Sequence, residues 1–186
     1  WTKPSVASLL TGLFADSHGV EKHESILHET VPYMPEVLRD RGLQTAGFVG
    51  NGYISGPFGF ERGWDAWRLY GPDGSENRGR NIVDGAIAWL KGRDRKTPYF
   101  LYVHLVDPHA PYAAPGRYRD IYSDPRRPSR IEPTSTAALL RSFLFGLFRP
   151  GRADLRRLKE LYDAEITYID HHIGRLVRAL GRDEPD

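Results

Sequence analysis

The stretch YFLYVHLVDPHAPY, residues 99–112, decides the fold. Its first eight residues form a nearly continuous apolar run. Such a run reads as a strand covered on both faces, the pattern of a parallel sheet between helix layers. In sheets of that kind ligands bind beyond the carboxyl ends of the strands. The strand end carries Asp107 and His109 on either side of Pro108, which restricts the turn and fixes how the two side chains point. His109 is therefore a candidate to hold a leaving oxygen or protonate it, and Asp107 a candidate substrate-binding group. The same residues also read as an Asx-type turn with a capping histidine, and the local pattern leaves both readings open. His104 alternates with Val103 and Leu105 and is expected as a hydrogen-bonded core histidine.

Working outward, LQTAGFVG (43–50) reads as a second strand, with Gly50, Gly52 and Gly56 loosening the chain after it. PEVLRDR (35–41) reads as a helix closed by Gly42. Residues 77–91 carry Ile82, Ala86, Trp89 and Leu90 at helical spacing. The alternation of helix and strand predicts an α/β fold with a mostly parallel central sheet flanked by helices. Residues 153–180 predict the longest helix, with Leu155, Leu158, Tyr162, Ile166, Ile169, Ile173, Leu176 and Leu180 turned inward and Arg156, Arg157, Lys159 and Glu160 outward. Asp163 and Asp170 are expected to anchor that helix. His171 and His172 point to different sides of it, which is wrong for joint metal binding. The closing GRDEPD (181–186) reads as a turn.

The 186 residues, 40% of them hydrophobic, suffice for one ordinary core. A net charge of +2 is too small to indicate nucleic acid, and no nucleic-acid partner is expected. RYRDIYSDPRRPSR (117–130) holds five arginines and two aspartates and reads as a solvated loop rather than the rim of an anion site. The absence of cysteine excludes disulfides and thiolate metal sites. No apolar run reaches the length of a membrane span. The longest, at 139–148, is broken by Arg141, Ser142 and Gly146. His18, His23 and His28 lack ligand spacing and are expected at the surface.

The chain opens with WTKPSVASLLTG (1–12). Pro4 suits a first helical turn and Gly12 a helix end, and Val6, Leu9, Leu10 and Leu13 share one face. A hydroxyl at Thr2, just ahead of free backbone N–H groups and beside Lys3, could serve as a nucleophile toward a bound phosphate or sulfate. Lys3 would supply charge to the transition state unless its side chain points into solvent. By itself Thr2 reads more readily as a helix N-cap.

Taken together these stretches resemble the sulfatase family of the alkaline phosphatase superfamily. TKPSVASLLTG (2–12) matches the family's nucleophile motif at Pro4, Ser5, Leu9, Thr11 and Gly12, with His18 and Gly19 following at the usual place. HLVDPHAPY (104–112) is similar to its H-x-x-D-P-H-x-P-Y element. LRDRGLQTAGFVGN, GFERGWDAW and LYDAEITYIDHHIGRLVRAL fit in order. The resemblance implies a partial sulfatase-like catalytic domain over 1–186, lacking the metal-binding segments that flank it in the family. It implies a divalent metal: Ca2+ in a true sulfatase, Mn2+, Mg2+ or Zn2+ in a phosphotransferase or phosphodiesterase. Thr2 would be a ligand and most others would lie outside this chain.

Two departures matter. Thr2 stands where the family has the Cys or Ser that becomes formylglycine, and threonine cannot give that aldehyde. Val6 replaces the arginine that steadies the formylglycine hydrate. GNGYIS (50–55) stands in place of the family's G-K-W-H element, so Asn51 and Tyr53 become the candidate substrate contacts, against ordinary turn chemistry as the alternative. The expected function is a metal-dependent hydrolase of sulfate or phosphate esters with a Thr nucleophile, acting on a small anionic ester. The alternatives are a phosphoethanolamine- or phosphoglycerol-type transferase and a non-catalytic anion-binding relative. The family implies a periplasmic, extracellular or membrane-associated setting, with room for a membrane anchor upstream and none within the chain.

Overall fold

The fold was obtained as a computed structural model that describes residues 1–71, 78–124, 127 and 129–181. It is α/β, with a three-stranded parallel sheet and helices around it. The chain divides into two compact units, Trp1–Leu105 with Arg178–Asp186, and Val106–Val177.

The first unit opens with α1 (Thr2–Thr11) and the single turn α2 (Ala15–His18), followed by α3 (Met34–Asp40). The helix expected at the chain start is found, and Gly12 ends it in the left-handed region at φ 72°, which favours glycine. Its buried face is Lys3, Val6, Ala7 and Leu10, whereas Leu9, expected to share that face, is exposed. His18 also departs from expectation. It is buried rather than superficial, with Nδ1 accepting the Val20 N–H at 3.0 Å and Nε2 paired with Ser8 Oγ at 3.0 Å. An acceptor Nδ1 puts the proton on Nε2, so His18 fastens α1 to the turn after α2 as a neutral ring.

Strands β1 (Gln44–Val49), β2 (Ala66–Leu69) and β3 (Tyr99–His104) lie in the order β2-β1-β3, all parallel. Gln44 pairs with Tyr99 and Val49 with His104 on one side, and Ala46 pairs with Ala66 on the other. α4 (Gly79–Gly92) carries the chain across from β2 to β3. The fully covered strand is β1, not β3. β3 pairs on one side only among the described residues and is half-buried along its length. Gly47 is the close-approach position in β1: a Cβ there would lie 2.5 Å from the Trp67 ring. The core beneath the sheet joins Val6, Ala7 and Leu10 to Tyr33, Val49, Ile54, Phe60 and Trp64. Two of its polar tips, Tyr33 Oη and Trp64 Nε1, converge on the Phe60 carbonyl at 3.0 and 2.9 Å.

The second unit contains α5 (Gly116–Arg119), α6 (Thr136–Leu144) and α7 (Arg152–Gly181) as far as Val177. Asp154 accepts the Gly151 N–H at 3.0 Å and the Arg130 guanidinium at 3.2 Å, which fixes where α7 begins. The buried face of α7 is Asp154, Leu161, Ala164, Glu165, Tyr168, Ile169 and His172. Of the stripe expected to turn inward, Leu155, Tyr162, Ile166 and Ile173 are exposed. The carboxylates of Asp163 and Asp170 bond nothing among the described residues, so neither is an anchor. His172 is buried and His171 exposed, on different sides as expected. Part of the arginine-rich loop (residues 125, 126 and 128), residue 77 and the final turn beyond residue 181 lie outside the described residues.

Thr45, fully buried in β1, is the polar hub of the first unit. Its hydroxyl donates to the Gly63 carbonyl at 2.9 Å and accepts the Asp65 N–H at 3.0 Å. Thr45→Val keeps the shape and removes the hydroxyl's bond to the Gly63 carbonyl, while the Asp65 N–H keeps the Thr45 carbonyl at 3.0 Å, so urea unfolding should show a loss of about 1 kcal/mol. An unchanged midpoint would refute the hub.

Candidate functional site

The sequence-nominated residues fall into two groups, one in each unit. In the first unit, Trp1 is the N-cap of α1 and Thr2 its first residue. Thr2 is thus one position inside the helix, and its side chain does not cap it. The Thr2 hydroxyl is half-exposed and makes no hydrogen bond among the described residues. Around it, Ser5 Oγ and the Ser5 N–H both return to the Trp1 carbonyl, at 2.9 and 3.3 Å. Pro4 carries no N–H, so the first-turn amides without a helical acceptor are those of Thr2 and Lys3.

Lys3 is completely buried. Its ammonium donates to the carbonyls of His23 and Ser25, the latter at 2.9 Å, and sits 3.4 Å from the centroid of the Phe58 ring. Burial lowers its pKa, and the charge of Glu24 pulls the other way. The side chain does not run into solvent: it ties α1 to the loop that follows α2. That loop returns His23 to the chain start, where the rings of Trp1, His23 and Tyr53 meet at centroid distances of 4.3, 5.3 and 5.8 Å. Tyr53 is exposed beside them. Asn51 Oδ1 accepts the Tyr53 N–H at 2.9 Å and the Asn51 carbonyl accepts the Ile54 N–H at 2.9 Å, so this side-chain oxygen is spent on the turn. Trp1 and His23 escaped sequence reading because twenty-one residues, including α1 and α2, separate them and no spacing rule joins them.

At the end of β3, His104 Nδ1 pairs with Tyr102 Oη at 3.0 Å. Burial lowers the His104 pKa and pushes the Tyr102 phenol up to about 12. The pair is therefore a neutral imidazole accepting from a neutral phenol, a strand-stabilising contact of the kind expected for His104. In the second unit, the peptide bonds before Pro108 and Pro111 are both cis. The His109 N–H donates to the Val106 carbonyl at 2.8 Å, closing the turn. His109 Nδ1 lies 2.7 Å from the Ala110 carbonyl. A carbonyl can only accept, so Nδ1 carries the proton and Nε2 is the open atom of an exposed ring. Asp107 is half-buried in the same turn. Tyr112 is fixed through its N–H, which donates to Thr136 Oγ1 at 2.7 Å.

No three His, Asp or Glu side chains among the described residues could hold a metal ion. The described residues therefore do not by themselves make up the divalent-cation site that the family resemblance implies. Lys3→Met keeps the contact with Phe58 and removes both hydrogen bonds to the loop. Thermal and urea unfolding should report a loss of about 2 kcal/mol, and limited proteolysis should cut faster at residues 19–33. Unchanged stability and cleavage would show that the ammonium is not the loop's anchor.

Comparison with known proteins places the chain in a family. The sulfatase family model matches residues 1–186. An arylsulfatase of Clostridium perfringens is 28% identical over 137 residues, covering 70% of this chain and 26% of its own. An N-acetylglucosamine-6-O-sulfatase of Bacteroides thetaiotaomicron is 30% identical over 142 residues, covering 65% of this chain and 24% of its own. Among solved structures, a protein in complex with its substrate D-glucosamine-2-N,6-O-disulfate superposes with a TM-score of 0.71 at 20% identity, over 98% of this chain and 53% of that one. The phosphonate monoester hydrolase of Agrobacterium radiobacter gives 0.67 at 17% identity, over 97% and 50%. The chain thus spans about a quarter of the length of these sequence relatives and about half of these structures. Because the sulfatase family model matches residues 1–186 of the chain, the chain belongs to the sulfatase family.

Proposed function

We propose that the protein carrying this chain hydrolyses sulfate or phosphate esters with Thr2 as its nucleophile. The observation that carries the reading is the Thr2 hydroxyl itself. It stands in the first turn of a ten-residue helix, unengaged among the described residues, and the motif resemblance of residues 2–12 supports giving it the nucleophile's role. Threonine has a single hydroxyl and cannot become an aldehyde, so the two half-reactions differ from those of a formylglycine hydrate. In the first, Thr2 Oγ1 bonds to the sulfur or phosphorus of the ester while the bond to the alcohol oxygen breaks, and the departing oxygen takes up a proton. In the second, water attacks the same sulfur or phosphorus, releases sulfate or phosphate and restores the hydroxyl. The first-turn N–H groups of Thr2 and Lys3 favour an anionic group there. The relatives include an arylsulfatase and, in fold, a phosphonate monoester hydrolase, which supports an ester centred on sulfur or phosphorus.

A divalent metal belongs to this reading as an expectation of the family, with Thr2 as its one donor in this chain. Bound, it would neutralise charge on the transferring group. Lys3 enters as a positioning residue, because its ammonium holds the carbonyls beside His23. His109 is assigned the proton for the departing oxygen: Nδ1 is committed to the Ala110 carbonyl, so Nε2 is where a second proton loads. Asn51, Tyr53 and Asp107 are assigned to contacts with the substrate.

In the full-length protein, Thr2→Ala should lower cleavage of aryl sulfates and aryl phosphates by about 10³-fold or more, with circular dichroism unchanged. Thr2→Ser should retain activity. Intact-mass measurement during turnover should find one sulfuryl or phosphoryl group on Thr2. A Thr2→Ala variant at the native rate would remove the assignment. His109→Gln should slow esters of poorly acidic alcohols by about 10²-fold or more while sparing 4-nitrophenyl esters, whose leaving group needs no acid. Equal slowing of both classes would count against the acid role.

A further inference from the structure

The second unit carries a surface that ester chemistry does not use. α6 is rooted by Thr136, a buried residue whose hydroxyl donates to the Pro133 carbonyl at 2.9 Å and accepts the Tyr112 N–H at 2.7 Å. Its other end is an apolar tip: Phe143, Leu144, Phe145 and Leu147 are 51, 80, 73 and 81% exposed. Exposure of four large apolar side chains in five residues is costly in water and marks an interaction site in a soluble domain. Around the tip stand Arg141, Arg149 and Arg152, all exposed, and no Asp or Glu occurs between Glu132 and Asp154.

The backbone of the tip is closed on itself. Phe145 N–H donates to the Arg141 carbonyl at 3.1 Å and Gly146 N–H to Phe143 at 3.0 Å. Leu147 and Phe148 N–H both donate to Ser142, at 2.8 and 3.2 Å. Gly146 makes this turn in the left-handed region at φ 70°. Those four amides need no water, so the tip can enter an apolar phase without stranding a donor.

We propose that residues 141–152 dock the protein on the surface of an anionic lipid bilayer, with Phe143, Leu144, Phe145 and Leu147 in the headgroup–acyl boundary and Arg141, Arg149 and Arg152 on the lipid phosphates. The charge decides the occupant: an apolar tip in a stretch, residues 133–153, whose charged residues are all arginines fits an acidic interface, and aromatic and leucine side chains beside arginines are the composition of interfacial segments. The contact is with a surface and not a span, since no helix among the described residues is long and apolar enough to cross a membrane.

The test is co-sedimentation of the full-length protein with vesicles. Binding to phosphatidylglycerol mixed with phosphatidylcholine should exceed binding to phosphatidylcholine alone by about 100-fold, the product of three cations near a charged surface. High salt should erase the difference. Leu144→Glu with Leu147→Glu should weaken binding to the anionic vesicles by about 10-fold or more. Arg141→Gln with Arg149→Gln and Arg152→Gln should bring them down to the neutral level. All five positions are exposed, and the native chain's lipid and salt dependence needs no variant. Absence of binding, or equal binding to both vesicle types, overturns the proposal. So does a stable dimer in solution that the Leu144→Glu, Leu147→Glu pair converts to monomer, which would make the tip an interface between copies.

Discussion

Parallel pairing of β1 with both of its neighbours is the constraint from which the rest of the first unit follows. Parallel strands cannot be joined by a tight turn, so every connection must leave the sheet and return along one of its faces. The fourteen residues of α4 are one such return. The segment between β1 and β2 is another, and it brings Phe60 and Trp64 under the sheet. Because β1 is paired on both sides and buried, it has no room for polar groups without partners. Thr45 is tolerated there only because Gly63 and Asp65 meet its hydroxyl. Gly47 is required for a related reason: two indole rings occupy the space its side chain would need.

Elements with one strong signal were legible in the sequence. The apolar runs at 43–50 and 99–106 predict strands and the structure has them, parallel as expected. The helices around Pro4, Pro35 and Ile82 and the long helix near the end also stand where periodicity puts them. β2 was missed, since AWRL is four residues long and half-buried, too short for an alternation to declare itself. The inward face of α7 was misjudged for a different reason. Its apolar residues form a broad band, and hydropathy alone weighted Leu155, Tyr162, Ile166 and Ile173 over a face that includes Glu165, Tyr168 and His172. A buried polar residue lowers the apolar signal of the very face that holds it.

The site was legible as motifs and not as contacts. The motif reading names Thr2, Asp107 and His109, while the hydrogen bonds that define their local chemistry are invisible in one dimension. His109 illustrates this: a single carbonyl at 2.7 Å decides which ring nitrogen is open. His18 shows the converse. A histidine in a polar, glycine-ended segment looks superficial, yet two well-placed partners draw it inside. Resemblance to a family supplies roles, and only the neighbours of each atom say how a role is played in this chain.

The anchoring of the loop by Lys3 also bears on how the rim near Thr2 can be redesigned. The ammonium is held by main-chain oxygens of residues 23 and 25, and every amino acid supplies one of those. Side-chain identity at 23 and 25 is therefore uncoupled from these two bonds, while the charge of Glu24 and the loop length are not: one inserted or deleted residue would move a carbonyl out of reach. A library that randomises positions 23 and 25 at constant length would diversify the ring facing Trp1 and Tyr53 and leave its foundation in place.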